Sequence, residues 1–398
     1  MTTRSYILDT LEQVFAKDGY ASLLMRHAPA GTDIAFASEV IFGTIRNYSL
    51  LEAQWRPYAK RTKLRTALLL DMSVYQLFFL DGTPDYAAVH EAVELAGKHE
   101  KGFVNAVLHK VREQGLQVPE DPAVRYSLPS WILNLWKAHY GEETALKIAE
   151  SCGRRGRITG RVNTLKAAKK DFENDPHYTF LDEEAFIYEG PLQNTEEFRN
   201  GLVLIQDLHS MQVVKMLKAQ EGMHVLDACA APGTKTQQIA CAMNDKGEIT
   251  AQELYEKRTG LISELMERTG ASCVKAVTAD ATAAGAYSEE SFERILIDAP
   301  CSGLGDLSHK PEIRWHLKPE NLDELTAIQK AILNANAPYL KRGGILVYST
   351  CTLNRKENEN MVRDFLKEHE EYELLEEKTL FPFEDDADGF FSARMRRK

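Results

Sequence analysis

The sequence lacks any apolar run long enough to cross a lipid bilayer, which needs about 20 consecutive residues. Its longest apolar stretch, residues 67–80, is interrupted by Asp71 and is better explained as a buried helix. The N-terminus also lacks the long apolar run behind a basic flank that marks a secretory signal. With 44% hydrophobic and 27% charged residues, the chain is expected to be a soluble, cytoplasmic, globular protein.

Cysteine is scarce, and its spacing excludes two common roles. No cysteine lies two to four residues from another, so the sequence lacks the spacing of a zinc site and no metal is predicted. A disulfide framework is not expected in a cytoplasmic chain. A functional cysteine here should therefore act as a thiol, although a lone cysteine is usually a small buried apolar residue. The six cysteines are Cys152, Cys229, Cys241, Cys273, Cys301 and Cys351.

Positive charge is also in deficit, because the formal net charge is −11. This balance argues against binding nucleic acid through overall charge but leaves room for a local basic face. One basic run has no acid until Asp171, and it indicates either an RNA contact or a solvated basic surface. The run comprises Arg154, Arg155, Arg157, Arg161, Lys166, Lys169 and Lys170.

The most informative stretch, residues 224–240, lacks the glycines of the common phosphate-binding loops. An apolar run ends at Asp227, small residues follow, and helix-compatible sequence begins after Gly233. Only one glycine is present where a dinucleotide fingerprint needs three, and Thr234 separates Gly233 from Lys235, which breaks a P-loop pattern. The turn is therefore either an ordinary strand-to-helix connection or a loop for a nucleotide-like cofactor without a pyrophosphate. S-adenosylmethionine fits the second case.

The chain is long enough for two or three domains. Residues 1–117 have apolar positions at helical spacing, as in Leu64, Leu68 and Met72, and are predicted to be all helix. Residues 118–200 are predicted to form a small α+β region. In residues 201–398, strand-like and helix-like segments alternate, which predicts an α/β domain with a mostly parallel sheet. Its expected strands are 223–228, 248–253, 273–278, 294–298 and 344–349.

Polar side chains follow the ends of these predicted strands, where open α/β sheets bind their ligands. Glu253 closes the second strand and could accept both ribose hydroxyl protons of a nucleoside, while Asp280 could accept from an adenine amino group. Each acid alone could also be a helix cap or a solvated strand end. Cys301 and Cys351 follow neighbouring strands, so two thiols are expected over one crevice.

The helical first part resembles the NusB-type RNA-binding fold. The resemblance implies a helical module that faces RNA and is not itself a catalyst. It rests on the segments FASEVIFGTIR at 36–46, YQLFFL at 75–80, AVHEAV at 88–93 and FVNAVL at 103–108.

The second part resembles the RNA 5-methylcytosine methyltransferases, and the NusB-like block points to the ribosomal RNA small subunit methyltransferase B type. This resemblance implies a Rossmann-like, S-adenosylmethionine-dependent catalytic domain and small-subunit (16S) ribosomal RNA as the partner. The matching motifs are DACAAPGTKT at 227–236, DAPCSG at 298–303, YSTCT at 348–352 and DGFF at 388–391.

The resemblance also implies a role for each matching residue. Cys351 would be the nucleophile that adds to cytosine C6, Cys301 would assist product release, and Asp298 would contact the ring near N3. Such covalent activation makes C5 nucleophilic enough to take a methyl group. Lys235 is compatible with a contact to cofactor, a contact to RNA phosphate, or a helix start. The implied cofactor site comprises Cys229, Ala230, Ala231, Pro232, Gly233, Thr234, Lys235, Glu253, Asp280 and Asp298.

Two positions depart from the family pattern. Thr234 stands where a second glycine is usual, and it would disfavour any backbone with positive φ, weakening cofactor binding or shifting the loop. Arg355 and Lys356 replace a more usual Pro-acid pair. Two other functions are compatible with parts of the sequence. A noncatalytic RNA-binding assembly factor would not need two thiols, and a methyltransferase for proteins or small molecules would leave the helical block unexplained.

Overall fold

A computed structural model describes residues 2–59, 61–80, 82 and 84–398. By internal contacts the chain forms two compact units: Met1–Arg155 with Leu307–Leu317, and Gly156–Asp306 with Lys318–Lys398. The predicted division into 1–117, 118–200 and 201–398 stays a prediction. In the described residues, no helix is both long and apolar enough to span a membrane.

The first unit is helical, as predicted. The apolar face of its first helix is buried, with Ile7 and Leu11 both 0% exposed, and Leu68 of the fifth helix is equally buried. These faces form one core with the later helices. The helices are α1 Thr3–Lys17, α2 Ala21–Met25, α3 Ile34–Arg46, α4 Tyr48–Trp55, α5 Leu64–Phe78, α6 Asp85–Leu95, α7 Lys101–Gln114, α8 Pro122–Arg125, α9 Ser130–Tyr140 and α10 Glu142–Cys152, with a 3-10 turn at Arg56–Tyr58.

A returning segment, Leu307–Leu317, completes this unit and contributes one buried cation. The guanidinium of Arg314 is 0% exposed, and burial lowers its pKa to about 10. Its N–H groups donate to backbone carbonyl oxygens, which ties separate parts of the unit to the returning segment. The acceptors are the carbonyls of Arg46, Tyr126, Ser127, Cys152 and Leu307, at 3.0–3.4 Å.

The second unit begins with a small antiparallel sheet. Its spatial order is β2-β3-β1-β4, and it packs around Phe186 and Val162. The first of these strands ends at Val162. The strands are β1 Thr159–Val162, β2 Tyr178–Phe180, β3 Ala185–Tyr188 and β4 Val203–Ile205, with α11 Glu196–Arg199 and 3-10 turns at Lys169–Asp171 and Leu192–Asn194.

A seven-stranded, mostly parallel sheet follows, in the order β10-β11-β9-β8-β5-β6-β7. The five parallel strands are those predicted from the sequence, whereas the antiparallel β10 and β11 were not predicted. The fold class is therefore confirmed, with an added antiparallel edge. The strands are β5 His224–Asp227, β6 Glu248–Glu253, β7 Val274–Thr278, β8 Phe292–Asp298, β9 Leu340–Thr350, β10 Tyr372–Leu380 and β11 Phe390–Arg397.

Helices connect these strands and cover the sheet, and two buried clusters pack against it. Because the central strands are parallel, Asp227, Glu253, Asp298 and Thr350 all end at the same edge of the sheet. The loops that follow this edge form the candidate site. The helices of this unit are α12 Leu208–Leu217, α13 Thr234–Ala242, α14 Glu256–Thr269, α16 Pro319–Asn336, α17 Glu359–Glu368 and α18 Pro382–Asp385, while α15 Ile313–His316 lies in the first unit.

Candidate active site

The loop after β5 makes a tight turn that requires glycine at one position. Gly233 has φ of 105°, a left-handed value, and a Cβ there would lie 3.3 Å from Leu265 and Met266. Thr234 is the first residue of α13 and is not among the described residues with positive φ. The expected conflict at Thr234 is thus absent in this structure, because the unusual backbone falls on Gly233.

Hydrogen bonds fix the same loop against the sheet. The Gly233 amide donates to the Ala230 carbonyl at 2.7 Å, and the Ala230 amide donates to Gln252 at 2.9 Å. Cys229 lies within this turn, and burial, with neighbouring acids, raises the pKa of its thiol. Cys229 is therefore a neutral thiol in the loop wall. Ala231 is half-buried and Pro232 is exposed.

Asp227 is a buried carboxylate at the base of this loop, 1% exposed. One oxygen accepts from the Thr236 hydroxyl at 2.7 Å, while Oδ1 has no hydrogen-bond partner within the described part of the chain. Burial raises the Asp227 pKa to about 7, with Asp298 adding to the rise and Thr236 opposing it. A buried acceptor without a partner beside a glycine turn fits a polar or cationic ligand group.

Glu253 and Asp280 occupy different environments at the next two strand ends. Glu253 is 5% exposed, and its Oε1 lies 3.5 Å from the Arg258 guanidinium. Asp280 is exposed and accepts from the Thr282 hydroxyl at 2.7 Å and amide at 2.8 Å, which lowers its pKa. Glu253 is thus directed into the edge of the sheet, whereas Asp280 forms a local turn. Their contacts with a nucleoside stay predictions.

The two predicted thiols lie side by side. Cys301, in the loop after β8, has its Sγ 3.3 Å from the Sγ of Cys351, in the loop after β9. Both residues are half-buried in the structure. The hydrogen bond with Cys351, together with burial, raises the pKa of the Cys301 thiol. Cys301 is therefore held protonated next to Cys351.

An ion pair lies at the same edge of the sheet as the thiols. Lys235 Nζ is 2.7 Å from Asp298 Oδ2, and the Ser349 hydroxyl donates to Asp298 Oδ1 at 2.7 Å. Burial alone would lower the Lys235 pKa, but Asp298 and Cys351 outweigh it, and the net change is upward. The ammonium also lies 5.2 Å from the centroid of the Phe390 ring. The three alternatives for Lys235 stay open, and the structure adds Asp298 as the partner of its ammonium.

A buried carboxylate that sequence reasoning missed connects the two thiol loops. Glu357 is 0% exposed and accepts from the Ser302 amide at 2.9 Å and hydroxyl at 2.5 Å. Gln329 and Asn354 each donate to it at 2.9 Å. The Ser302 hydroxyl also lies 2.7 Å from that of Thr352. The neighbours of both cysteines are therefore joined, and only the short spacing to Asn354 was visible in the sequence.

The basic run is largely engaged by the protein itself. Arg161 is 0% exposed and binds Gln206, Gln237 and the Thr234 carbonyl, so its assignment to a basic surface was wrong. Its buried guanidinium instead secures the start of α13. Five other cations of the run contact the protein as follows: Arg154 with Glu150, Arg155 with Glu39, Arg157 with Asp386, Lys169 with Glu183, and Lys166 with the carbonyls of Asn200 and Arg268.

Sequence comparison assigns both parts of the chain. The family model for the 16S rRNA methyltransferases RsmB/F matches residues 214–396, and the NusB family model matches residues 1–113. A probable ribosomal RNA small subunit methyltransferase B from Bacillus subtilis is 35% identical over 442 positions, covering 100% of this chain and 99% of the relative. The chain belongs to this family. S-adenosylmethionine is accordingly its cofactor, and rRNA methylation is the activity of the family.

A further relative agrees with this assignment, and two solved structures share the fold. A ribosomal RNA small subunit methyltransferase B from Yersinia pseudotuberculosis is 30% identical and covers 92% of this chain and 91% of the relative. The fold resembles the crystal structure of PH0851, with a TM-score of 0.83, 23% identity and 98% coverage of both chains. It also resembles NSun6 from Pyrococcus horikoshii with SFG, with a TM-score of 0.62, 22% identity, and coverage of 68% of this chain and 98% of that chain.

The buried Asp227 carboxylate predicts a pH-dependent stability difference. Its pKa is about 7 in the folded chain and ordinarily 3.8, so the folded state holds this proton more tightly between those values. The group's contribution to stability falls as pH rises through that window. The unfolding free energy of Asp227→Asn, relative to that of the wild type, should therefore rise by roughly 2–4 kcal/mol between pH 4 and pH 7. Above pH 7 this difference should stay constant. Denaturant unfolding without cofactor, measured across pH 4–8.5, tests this, and a constant difference would contradict it.

Replacement of Glu357 by Gln should destabilise the thiol loops. The amide turns one acceptor into a donor that faces the donors of Ser302, Gln329 or Asn354, and each mismatch costs about 1–3 kcal/mol. Glu357→Gln is expected to lower the unfolding free energy by about 2–4 kcal/mol. The exposed Glu324→Gln on α16 serves as the matched control and should change it by under about 0.5 kcal/mol. Equal stabilities of the two variants would disprove the bridging role.

Proposed function

We propose that the chain transfers a methyl group from S-adenosylmethionine to C5 of a cytosine in small-subunit ribosomal RNA, through a covalent adduct with Cys351. The observation that carries this proposal is the pair of thiols, 3.3 Å apart, at the sheet edge that also holds the Lys235–Asp298 ion pair. The RNA class follows from the relatives, which are named as small-subunit rRNA methyltransferases.

The cofactor is assigned to the loop after β5 and the adjoining strand ends. S-adenosylmethionine supplies an electrophilic methyl group on a sulfonium. The turn at Gly233 lets the backbone approach a ligand closely, and Glu253 is placed to accept from ribose hydroxyls. Asp227 offers a buried oxygen without a protein partner in the described residues. The further contacts proposed are those of residues 229–235 and of Asp280 and Asp298.

Cytosine C5 is a poor nucleophile, and covalent addition at C6 overcomes this. The Cys351 thiolate forms an S–C6 bond, the π electrons of C5–C6 shift to C4–C5, those of C4–N3 shift to N3, and N3 takes a proton from water. C5 becomes enamine-like and able to attack a methyl group. Asp298, fixed by Lys235 and Ser349, is positioned as the hydrogen-bonding partner of the N3 edge. Lys235, paired with Asp298, places a positive charge at the same edge of the sheet as Cys351.

Product release requires two further changes on the ring. The C5 proton must leave to a base, and the electron pair of that C–H bond re-forms the double bond as the S–C6 bond breaks. Cys301 lies next to the sulfur that departs, and its thiol is protonated, so it can pass that proton to the Cys351 sulfur as the S–C6 bond breaks. The Cys301 thiolate left by this transfer takes the C5 proton. The N3 proton is then lost, which returns neutral 5-methylcytosine and a free Cys351.

Cys351→Ala should abolish methyl transfer, because the sulfur that bonds to C6 is missing and the neighbouring thiol, Cys301, is held protonated. The measurement is transfer of a labelled methyl group to small-subunit RNA lacking this modification, with mass spectrometry of the nucleosides to identify 5-methylcytidine. Cys273→Ala, a half-buried cysteine held against Asp245, is the matched control and should retain activity. Full activity of Cys351→Ala would exclude the covalent route. Absence of methylation by the wild type would instead favour a noncatalytic assembly factor.

Cys301→Ala should retain addition and methyl transfer but fail to release the RNA. The expected result is an RNA–protein adduct that survives a denaturing gel and accumulates to near one per enzyme. The double variant Cys301→Ala/Cys351→Ala should form none, because the sulfur that bonds to C6 is missing. An adduct that persists in the double variant would assign the nucleophile to another residue.

A further inference from the structure

We infer that His209 is a positioning residue for Cys351, acting through the turn Asp388-Gly389. This inference rests on the proposed function, in which Cys351 is the nucleophile. His209 lies in the first turn of α12, outside the thiol loops and outside every motif on which the family resemblance rests. All the residues concerned belong to the same compact unit.

The imidazole of His209 is fully buried and engaged at both nitrogens. Nδ1 lies 2.6 Å from the Asp388 carbonyl oxygen, and Nε2 lies 3.0 Å from Asp385 Oδ2. A carbonyl oxygen can only accept, so Nδ1 must carry the hydrogen that joins it to Asp388. The Asp385 carboxylate is half exposed. Of the two hydrogen bonds of His209, the one to the Asp388 carbonyl is therefore the buried one.

Asp207 holds the same turn from the other side of the peptide. Its Oδ2 accepts from the Asp388 amide at 2.8 Å, while its Oδ1 accepts from the amides of His209 and Ser210 at 2.8 and 3.1 Å. Asp207 thus binds the N–H of Asp388 and His209 binds its C=O, and these two residues are two positions apart in the chain. A pair of such contacts fixes the orientation of the turn and not just its distance from α12.

Two backbone hydrogen bonds continue from this turn to the nucleophile. The Gly389 amide donates to the Gly305 carbonyl at 2.8 Å, and the Gly305 amide donates to the Cys351 carbonyl at 3.1 Å. The two backbone segments are packed closely, because a Cβ on Gly305 would lie 2.0 Å from the Gly389 oxygen. On the other face, a Cβ on Gly389 would lie 2.9 Å from Leu353. A shift of Asp388 must therefore displace the backbone of Cys351.

The same turn leads directly into the surroundings of Lys235. Phe390 follows Gly389 at the start of β11, and its ring centroid is 5.2 Å from Lys235 Nζ. Loss of the hydrogen bond to the Asp388 carbonyl would therefore shift the Cys351 sulfur relative to the cytosine C6 that it attacks. It would also shift the Lys235 ammonium beside Asp298. Displacement of about 1 Å in reacting groups can cost ~10²-fold in rate.

The test uses three substitutions at His209 in the full-length protein. Asn places an amide N–H near the position of Nδ1 and preserves the donor to Asp388, whereas Gln extends further and supports the Asp385 contact instead. Relative to wild type, kcat for methyl transfer should fall ~10–100-fold in His209→Ala and His209→Gln, and within ~3-fold in His209→Asn. KM for RNA and the Kd for S-adenosylmethionine should change far less than kcat, because Lys235 and Asp298 are only two of the proposed cofactor contacts and the turn at Gly233 is not touched by His209. His224→Ala, an exposed histidine at the start of β5, is the control.

A second readout assigns the defect to the Cys351 step. In the Cys301→Ala background, the rate of adduct formation should fall by the same factor as kcat, and the final yield should not. If Cys301→Ala alone forms no adduct, the proposed mechanism fails, independently of His209. If the adduct forms at an equal rate with His, Ala and Asn at position 209, the positioning role is overturned. Equal losses of kcat in Ala and Asn, at equal thermal midpoints, would also overturn it.

Discussion

A single buried carboxylate, that of Glu357, holds together the two loops that carry the thiols. Burial of an ion costs several kcal/mol unless its lone pairs are satisfied, and hydrogen bonds to charged groups each return about 1.5–3 kcal/mol. Glu357 accepts from Ser302 twice and from Gln329 and Asn354. Since Ser302 adjoins Cys301 and Asn354 lies three residues beyond Cys351, the four bonds that stabilise this ion also set the spacing between the sulfurs.

Much of the fold and part of the site could be predicted from the sequence, for a definable reason. Apolar runs that end in Asp227, Glu253 and Asp298 mark parallel strands, and such strands end together, so residues far apart in sequence are brought to one edge. Of the two antiparallel strands at the edge, β10 was missed because it carries a run of acids and is mostly exposed, which hides any alternation of apolar and polar residues.

The residues that sequence reasoning missed share a different property. Glu357 binds Ser302 and Gln329, which are 55 and 28 positions away, and His209 binds Asp388, 179 positions away. Contacts between residues so far apart in the sequence arise from tertiary packing, so the local spacing of residues cannot predict them. Arg161 illustrates the opposite error. Read in sequence it joins a basic run, but β1 directs it inward onto the Thr234 carbonyl, where a guanidinium serves as a fixed donor.

The charge balance around the cofactor loop links the site's two kinds of ligand. Asp227, Glu253 and Asp298 contribute negative charge, and their fields, after burial, raise the pKa of the Cys229 thiol. Lys235 offsets only part of this negative charge, because its ammonium forms an ion pair with Asp298. The net negative charge around the loop favours binding of a cationic sulfonium. It does not favour the neutral thioether that remains after methyl transfer. If the cofactor binds at this loop as proposed, the acids that keep the Cys229 thiol protonated also favour S-adenosylmethionine over its demethylated product, while the ammonium of Lys235 is paired with Asp298.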